Sequence, residues 1–412
     1  MSFSRVCVVG MGYIGLPTSA VFADNGIDII GVDINPATVE SINQGKPHIV
    51  EPDLDVLLRK VVQAGRLCAT TAPERADAFI LAVPTPFKDD HVPDLTYIET
   101  AAKAIAPFLE KTNLVILEST SPVGTTEQLS HWLADYRPDL TFPHQLGELS
   151  DIRVAHCPER VLPGQILREV VDNSRIIGGI TRKCAQAAMA LYRVFVKGEI
   201  HLTNARTAEM AKLSENAFRD VNIALANELS VLCDRQKINV WELIRLSNLH
   251  PRVNILQPGP GVGGHCIAVD PWFIVSADPE NSSLLRTARE VNLAKPHFVV
   301  EKVKELAAGL KEPVIACLGL SYKANVDDLR ASPAVDIVEH LARDKVGELL
   351  VVEPHVNALP KQLLDMGLEL WDFDMATNRA NILLLLVDHM SFLNVDHDLI
   401  KNKHIIDTRG VW

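Results

Sequence analysis

The sequence predicts an α/β protein: two Rossmann-like, doubly wound parallel-sheet domains joined by a central helical region. Three observations carry that expectation. Short apolar runs alternate with longer stretches of helical spacing through the first half of the chain, as in a parallel sheet with helices on both faces. From about residue 200 the alternation stops, and "NARTAEMAKLSENAFRDVNIALANELSVLCDRQ" continues as one long helix without Gly or Pro. After Lys311 the alternation returns.

The expected domains are residues 1–200, 201–309 and 310–412. In the first, "RVCVVG", "DIIGVD", "AFILAVPTP", "NLVILEST" and "RVAHCPE" read as buried strands. In the second, the long helix is followed by "PGPGVGGHCIAVDP" and by the helical "SSLLRTAREVNLAKPHFVVEKVKELAAGL". The third repeats the strand pattern in "PVIACLGLSYK", "ELLVVEP", "NILLLLVDH" and "HIIDTRG".

Composition narrows the functional classes. The chain has 412 residues, 47% hydrophobic and 22% charged, enough for two or three domains with sizeable cores. A net charge of -12 argues against a nucleic-acid or anionic-membrane partner, and an anionic ligand would need a locally basic pocket. No signal peptide is expected, and "NILLLLVDH" is too short to span a bilayer. Seven scattered cysteines without a CxxC pair suit reduced thiols in a cytoplasmic protein, with Cys7 and Cys317 in core strands. No metal site is expected.

Gly10, Gly12 and Gly15 form G-x-G-x-x-G after a strand and at the start of a helix, with Tyr13 and Ile14 between them. Gly10 permits the tight turn, Gly12 close approach of a pyrophosphate, and Gly15 close helix–strand packing. The helix N-terminus offers N–H groups to phosphate. Asp33 ends the next strand, where a carboxylate binds ribose hydroxyls and disfavours a 2′-phosphate. The alternative is a glycine-rich packing turn; strand, helix and Asp33 together favour NAD. Thr85 and Thr120 also stand at strand ends, where either ligand binding or turn capping is open.

Six glycines and prolines precede Cys266 in "PGPGVGGHCIAVDP", and Asp270 follows four residues on. A thiol among backbone N–H groups can become a nucleophile toward an aldehyde. A structural cysteine in a turn is the plainer alternative. Lys212 and Asn216 share one helix face at i, i+4 and offer donors to an oxyanion, although Glu209, Lys212 and Glu215 also suit a solvated face. Glu159 and Arg160 follow a strand in "HCPERVLPG". Lys323 and Arg330 fall in "GLSYKANVDDLRASP", a strand-to-helix loop suited either to phosphate or to ordinary surface charge.

Together these motifs resemble the UDP-glucose/GDP-mannose 6-dehydrogenase family over essentially the whole chain, with the glycine-rich cysteine loop as the most specific mark. The resemblance implies a homodimeric, NAD-dependent enzyme that oxidises a UDP-sugar alcohol to an acid. Cys266 matches the nucleophile, Lys212 and Asn216 the oxyanion donors, and Asp270 the aspartate acting with lysine and water. Glu159 matches the hydrolytic glutamate and Thr120 a water-positioning residue. Arg160, Gly263 and Lys323 match substrate contacts, Arg252 an arginine reaching substrate across a dimer interface, and Arg330 a cofactor contact. "CPERVLPGQ", "HPRVNILQPGPGVGGHCIAVDPWFIV" and "DTRGVW" point within the family to UDP-N-acetyl-D-mannosamine as substrate, for a surface polysaccharide such as enterobacterial common antigen. UDP-N-acetylglucosamine and UDP-glucose are the alternatives; His265, where UDP-glucose enzymes commonly carry serine, weighs against glucose. A single-step oxidoreductase and a non-catalytic NAD-binding protein are the rival classes.

Overall fold

A computed structural model describes residues 3–88, 91–162, 164–264, 266–393, 395 and 397–412. His265 lies outside the described residues. The chain divides into two compact units, Met1–Ser214 and Glu215–Trp412.

The first unit contains an eight-stranded sheet. Its strands are β1 (Arg5–Val9), β2 (Asp28–Val32), β3 (Leu67–Thr70), β4 (Ala78–Leu81), β5 (Leu114–Leu117), β6 (Arg153–His156), β7 (Arg175–Gly179) and β8 (Ile200–Asn204). Their order is β3-β2-β1-β4-β5-β6-β7-β8. Every pairing is parallel except β6 with β7, where Ala155 faces Gly179 and His156 faces Gly178. The order reverses between β1 and β4, and that switch point opens a crevice at the strands' carboxyl ends.

Helices bury both faces of this sheet. Val6, Val8, Leu114 and Ile116 pack on one side with Leu16, Phe22 and Tyr192. Cys7, Phe79, Val115 and Leu117 pack on the other with Ile105, Leu129 and Phe142. Continuous apolar strands are what two-sided burial requires. Three strands escaped the sequence reading, "LCAT", "RIIGG" and "IHLTN", because they are short and carry polar residues or glycines.

The helix Ala205–Gln236 is a single uninterrupted 32-residue element, called here the central helix. The second unit's sheet comprises β9 (Val314–Leu318), β10 (Glu348–Val352), β11 (Ile382–Leu385) and β12 (His404–Asp407), all parallel, in the order β10-β9-β11-β12. Cys317 and Leu384 pack on one face with Val300 and Val338, and Ala316 and Leu383 on the other with Ala376 and Phe392. The loop after β9 stands at this sheet's own switch point. Among the described residues no helix is long and apolar enough to cross a membrane.

The turn after β1 sets a sharp steric limit. Gly10 has φ +96°, and a Cβ on Gly15 would lie 1.8 Å from the Gly10 carbonyl oxygen. Nothing lies within 4 Å of a Cβ built on Gly12. Gly15→Ala should therefore destabilise the protein by about 2 kcal/mol or more, while Gly12→Ala stays within about 0.5 kcal/mol. Urea unfolding of the two variants checks this; equal stabilities would contradict it.

Candidate active site

In the first unit the crevice is built from backbone and two kinds of oxygen ligand. Gly10 N–H donates to the Val32 carbonyl at 2.8 Å, which ties the glycine turn to the end of β2. Asp33 follows β2 directly, and its carboxylate accepts Met11 N–H at 3.3 Å and Asn35 N–H at 2.9 Å. Carboxylate and glycine turn therefore share one end of the sheet. The open side of Gly12 and the adjacent carboxylate fit the expected dinucleotide: room for phosphate against backbone and an acceptor for ribose hydroxyls. Tyr13 is partly exposed beside them. Thr85 and Thr120 meet, the Thr85 hydroxyl donating to the Thr120 carbonyl at 2.7 Å.

Glu159 is buried beyond β6 rather than open on a loop. One carboxylate oxygen accepts Arg175 Nη2 at 2.7 Å and the other accepts Arg160 N–H at 2.7 Å. Arg175 is a partner the sequence reading missed. Glu209 is a correction of another kind. It is fully buried, and it accepts Gly124 N–H, Thr126 N–H and the Thr126 hydroxyl at 2.6–2.7 Å. It caps the helix that begins at Thr125 and takes no part in a solvated ion-pair face with Lys212.

In the second unit the glycines before Cys266 are explained by what lies against them. A Cβ on Gly263 would fall 2.5 Å from the Ala331 carbonyl oxygen, and one on Gly264 would fall 2.8 Å from the Tyr322 ring. Gly264 also has φ +81° and donates its N–H to Ala331 at 3.3 Å. The "SYKANVDDLRASP" loop thus presses on the "GVGG" backbone, and only glycine fits there. Two stretches that looked separate in sequence form one surface carrying Cys266, Lys323 and Arg330. Cys266 is exposed. Its carbonyl accepts Asp270 N–H at 2.9 Å, so the thiol sits one turn ahead of the helix Asp270–Ala277.

A buried side-chain network holds this loop in place. Asn216 Nδ2 donates to Asp270 Oδ2 at 2.5 Å, joining the central helix to the turn after the thiol. One turn further along, Asp220 Oδ1 accepts Arg289 Nη1 at 2.6 Å and Asn292 Nδ2 at 2.8 Å. Asn292 Oδ1 then accepts from Asn227, whose own Oδ1 accepts Gly259 N–H, each at 2.9 Å. Asn222 and Asn248 clamp the backbone of residues 254–256. Burial pushes the Asp220 carboxyl up, with the Arg289 charge opposing it. Lys212 stands one helical turn before Asn216 on the same helix. Arg252, two residues before the clamped segment, is exposed.

The loop after β9 has its own anchor. Glu353 Oε2 accepts Leu320 N–H at 2.7 Å, Ser321 N–H at 3.1 Å and His389 Nε2 at 3.1 Å. His389 Nδ1 accepts Asn325 N–H at 3.0 Å, which assigns the ring proton to Nε2. Ser321, His389 and Glu353 do not form a nucleophilic triad, since serine and carboxylate both meet the same ring nitrogen. Arg330 forks onto Asp328 at 2.7–2.8 Å. The sequence reading also missed Arg409, which bonds Asp388 at 2.7 Å and lies 2.8 Å from where a Gly259 Cβ would stand. It adds a third cation to the surface around the glycine loop.

Known proteins resemble the chain along its whole length. Residues 4–196 match the NAD binding domain of the UDP-glucose/GDP-mannose dehydrogenase family, 206–294 its central domain and 316–412 its UDP binding domain. The chain is 63% identical, over 100% of its length and 97% of the relative's, to the NDP-N-acetyl-D-galactosaminuronic acid dehydrogenase of Ralstonia nicotianae. It is 61% identical to the UDP-N-acetyl-D-mannosamine dehydrogenase of Campylobacter jejuni, over 96% of this chain and 98% of that one. A solved structure of UDP-D-ManNAc dehydrogenase from Pyrococcus horikoshii matches 99% of this chain and 96% of its own, with TM-score 0.89 and 42% identity.

The buried Asp220–Arg289 pair generates a prediction. Asp220→Ala leaves a guanidinium without its counter-charge and should cost about 3–5 kcal/mol. Asp220→Leu combined with Arg289→Met should recover most of that stability. Turnover should stay low in both, because the link from Asp220 to Gly259 is broken. Unfolding curves read beside turnover test this; a double variant with full activity would dissociate the network from the loop.

Proposed function

Because the chain belongs to the UDP-glucose/GDP-mannose dehydrogenase family, we propose that it oxidises the C6 alcohol of UDP-N-acetyl-D-mannosamine to the uronate in two successive steps. It is an NAD-dependent oxidoreductase of UDP-sugars. The observation that carries the finer reading is the glycine-only contact that sets an exposed thiol beside the loop bearing Lys323 and Arg330.

Gly10, Gly12, Gly15 and Asp33 would hold NAD, with Thr85, Thr120 and Arg330 as further contacts. When bound, NAD supplies the hydride acceptor for each oxidation. The chain's own residues supply the rest. After the first oxidation the Cys266 thiolate attacks the C6 aldehyde: a carbon–sulfur bond forms, and the carbonyl electron pair moves to oxygen. The Lys212 ammonium and the Asn216 amide stabilise that oxyanion, each such donor accounting for about 10²–10³ in rate. An asparagine amide has two N–H donors, so the bond to Asp270 fixes Asn216 and leaves one for the reacting oxygen. The second oxidation yields a thioester on Cys266. Glu159 takes a proton from water, the water oxygen adds to the thioester carbon, and the sulfur leaves as thiolate. Thr120 and Asp270 orient that water. Lys323, Arg252, Arg160 and Gly263 contact the UDP-sugar, and Arg409 adds a cation for its phosphates.

We assign NAD binding to residues 1–200, dimerisation and catalysis to 201–309 and UDP-sugar binding to 310–412. A homodimer is supported by an apolar stripe on the central helix, where Phe218, Leu225 and Leu232 are 63%, 49% and 43% exposed at seven-residue spacing. The stripe suits a second copy, and Arg252 would then reach the partner's substrate. We assign it to the cytoplasm and to surface polysaccharide synthesis, such as that of enterobacterial common antigen. A second reading has one observation in its favour: the 63% identical relative is named for an N-acetylgalactosamine-derived acid.

Three measurements test this. With limiting UDP-N-acetyl-D-mannosamine and excess NAD, two NADH should form per sugar, and Cys266→Ser should abolish uronate while retaining NAD binding. Two NADH from the N-acetylgalactosamine sugar alone would transfer the activity to the second reading, and one per sugar would remove the thioester. Sedimentation should give a dimer that Phe218→Glu with Leu225→Glu converts to an inactive monomer. A native monomer would refute the shared-site reading.

A further inference from the structure

Behind Glu159 lies a cluster that the mechanism above does not use. Glu118 directly follows β5 and keeps the side of Leu114 and Ile116, the face covered by the helix Arg182–Tyr192. Arg175 opens β7 on the same face as Ile177. The three side chains meet under Tyr192: Arg175 Nη2 lies 2.7 Å from Glu159 Oε2, and Arg175 Nη1 lies 3.8 Å from Glu118 Oε1. Tyr192 donates its hydroxyl to Glu118 Oε1 at 2.9 Å, and its ring lies 4.7 Å from the guanidinium carbon. Arg175 is 4% exposed, Glu118 2% and Glu159 9%.

Two carboxylates around one buried guanidinium leave a net negative charge if both ionise, and burial opposes that. Both carboxylates are buried, Glu118 the more completely enclosed of the two. The proton therefore resides on Glu118. Burial first, then the Glu159 charge, pushes the Glu118 carboxyl up to about 8, against the pull of Arg175 and Tyr192. The other titratable groups facing it are Cys157, whose thiol burial pushes up to about 12, and the Tyr192 phenol, raised by burial as well. Both remain protonated across the working range. His156 belongs to the opposite parity of β6.

We propose that Arg175 and Glu118 are positioning residues for thioester release: Arg175 fixes the orientation of Glu159, and a protonated Glu118 leaves the guanidinium undivided for that task. This rests on the reading of Glu159 as the residue that activates water. The sign of the pH effect follows from the geometry. While Glu118 is protonated, one guanidinium serves one carboxylate. As pH rises through the Glu118 titration, a second carboxylate competes for Arg175, and the hold on Glu159 loosens.

Single-turnover experiments with excess enzyme, quenched and followed by intact-protein mass, resolve the acyl group on Cys266 from the preceding oxidations. Glu159→Gln should accumulate acyl-enzyme, with release slowed about 10²-fold or more. If it does not, the reading of Glu159 fails and this proposal falls with it. Given that accumulation, Arg175→Gln should slow release about tenfold while the first NADH forms at close to the native rate, and Arg175→Lys should restore part of the loss. Native release in Arg175→Gln overturns the proposal while leaving Glu159 in its role. Glu118→Gln keeps a neutral isostere at every pH. The ratio of its release rate to the native rate should climb between about pH 7 and about pH 9. A flat ratio overturns the assignment of the proton to Glu118, even if the arginine variants fail to fold.

Discussion

The contact between the "GVGG" backbone and the loop after β9 is the constraint on which the arrangement of the second unit's cysteine loop depends. Tyr322 and Ala331 leave no room for a side chain at Gly263 or Gly264. The requirement is steric and local, yet it links two segments far apart in sequence. Once the backbones touch, the thiol, the loop bearing Lys323 and Arg330 and the first turn of the Asp270 helix share one surface. The anchor formed by Glu353 and His389 acts through the same contact, because it fixes the backbone that carries Tyr322.

A second layer makes the contact reproducible. A glycine-rich loop loses more conformational entropy on ordering than any other, so it needs strong fixed points. Asn222, Asn227 and Asn248 supply them by binding backbone groups of residues 254–259. Asn227 is itself set by Asn292 and Asp220. Each asparagine uses both ends of its amide, the nitrogen donating and the oxygen accepting, so neither end is left without a partner. The central helix thus works as a ruler: along its length it meets the turn after Cys266, then the buried ion pair one turn on, then the start of the loop two turns further.

The glycine turn after β1, Asp33, the cysteine loop and the apolar strands were legible because each imposes a residue type within a short window. Glycines mark close backbone approach, and alternating apolar runs mark strands. The missed parts are pairings between distant positions. Asp220 and Arg289 each look like solvated helix charges until the fold joins them. Glu209 had the spacing of a surface ion pair but is buried as a helix cap. Arg175 opens a short strand rich in glycine that the apolar pattern did not reveal. Tyr322 showed no sign of its role either, since the sequence displays the glycines but not what presses on them.

The single antiparallel pairing in the first sheet has a consequence for where charge can be placed. In a wholly parallel sheet each strand begins at the edge remote from the ligand crevice, so a residue that opens a strand is directed away from the chemistry. Because β7 runs against β6, its first residue arrives at the edge where β4, β5 and β6 finish. Arg175 owes its meeting with Glu118 and Glu159 to that reversal. The eight-stranded sheet thereby gains an inlet for a strand-opening side chain at the crevice end of its strands, a position that uniform winding reserves for strand-ending residues.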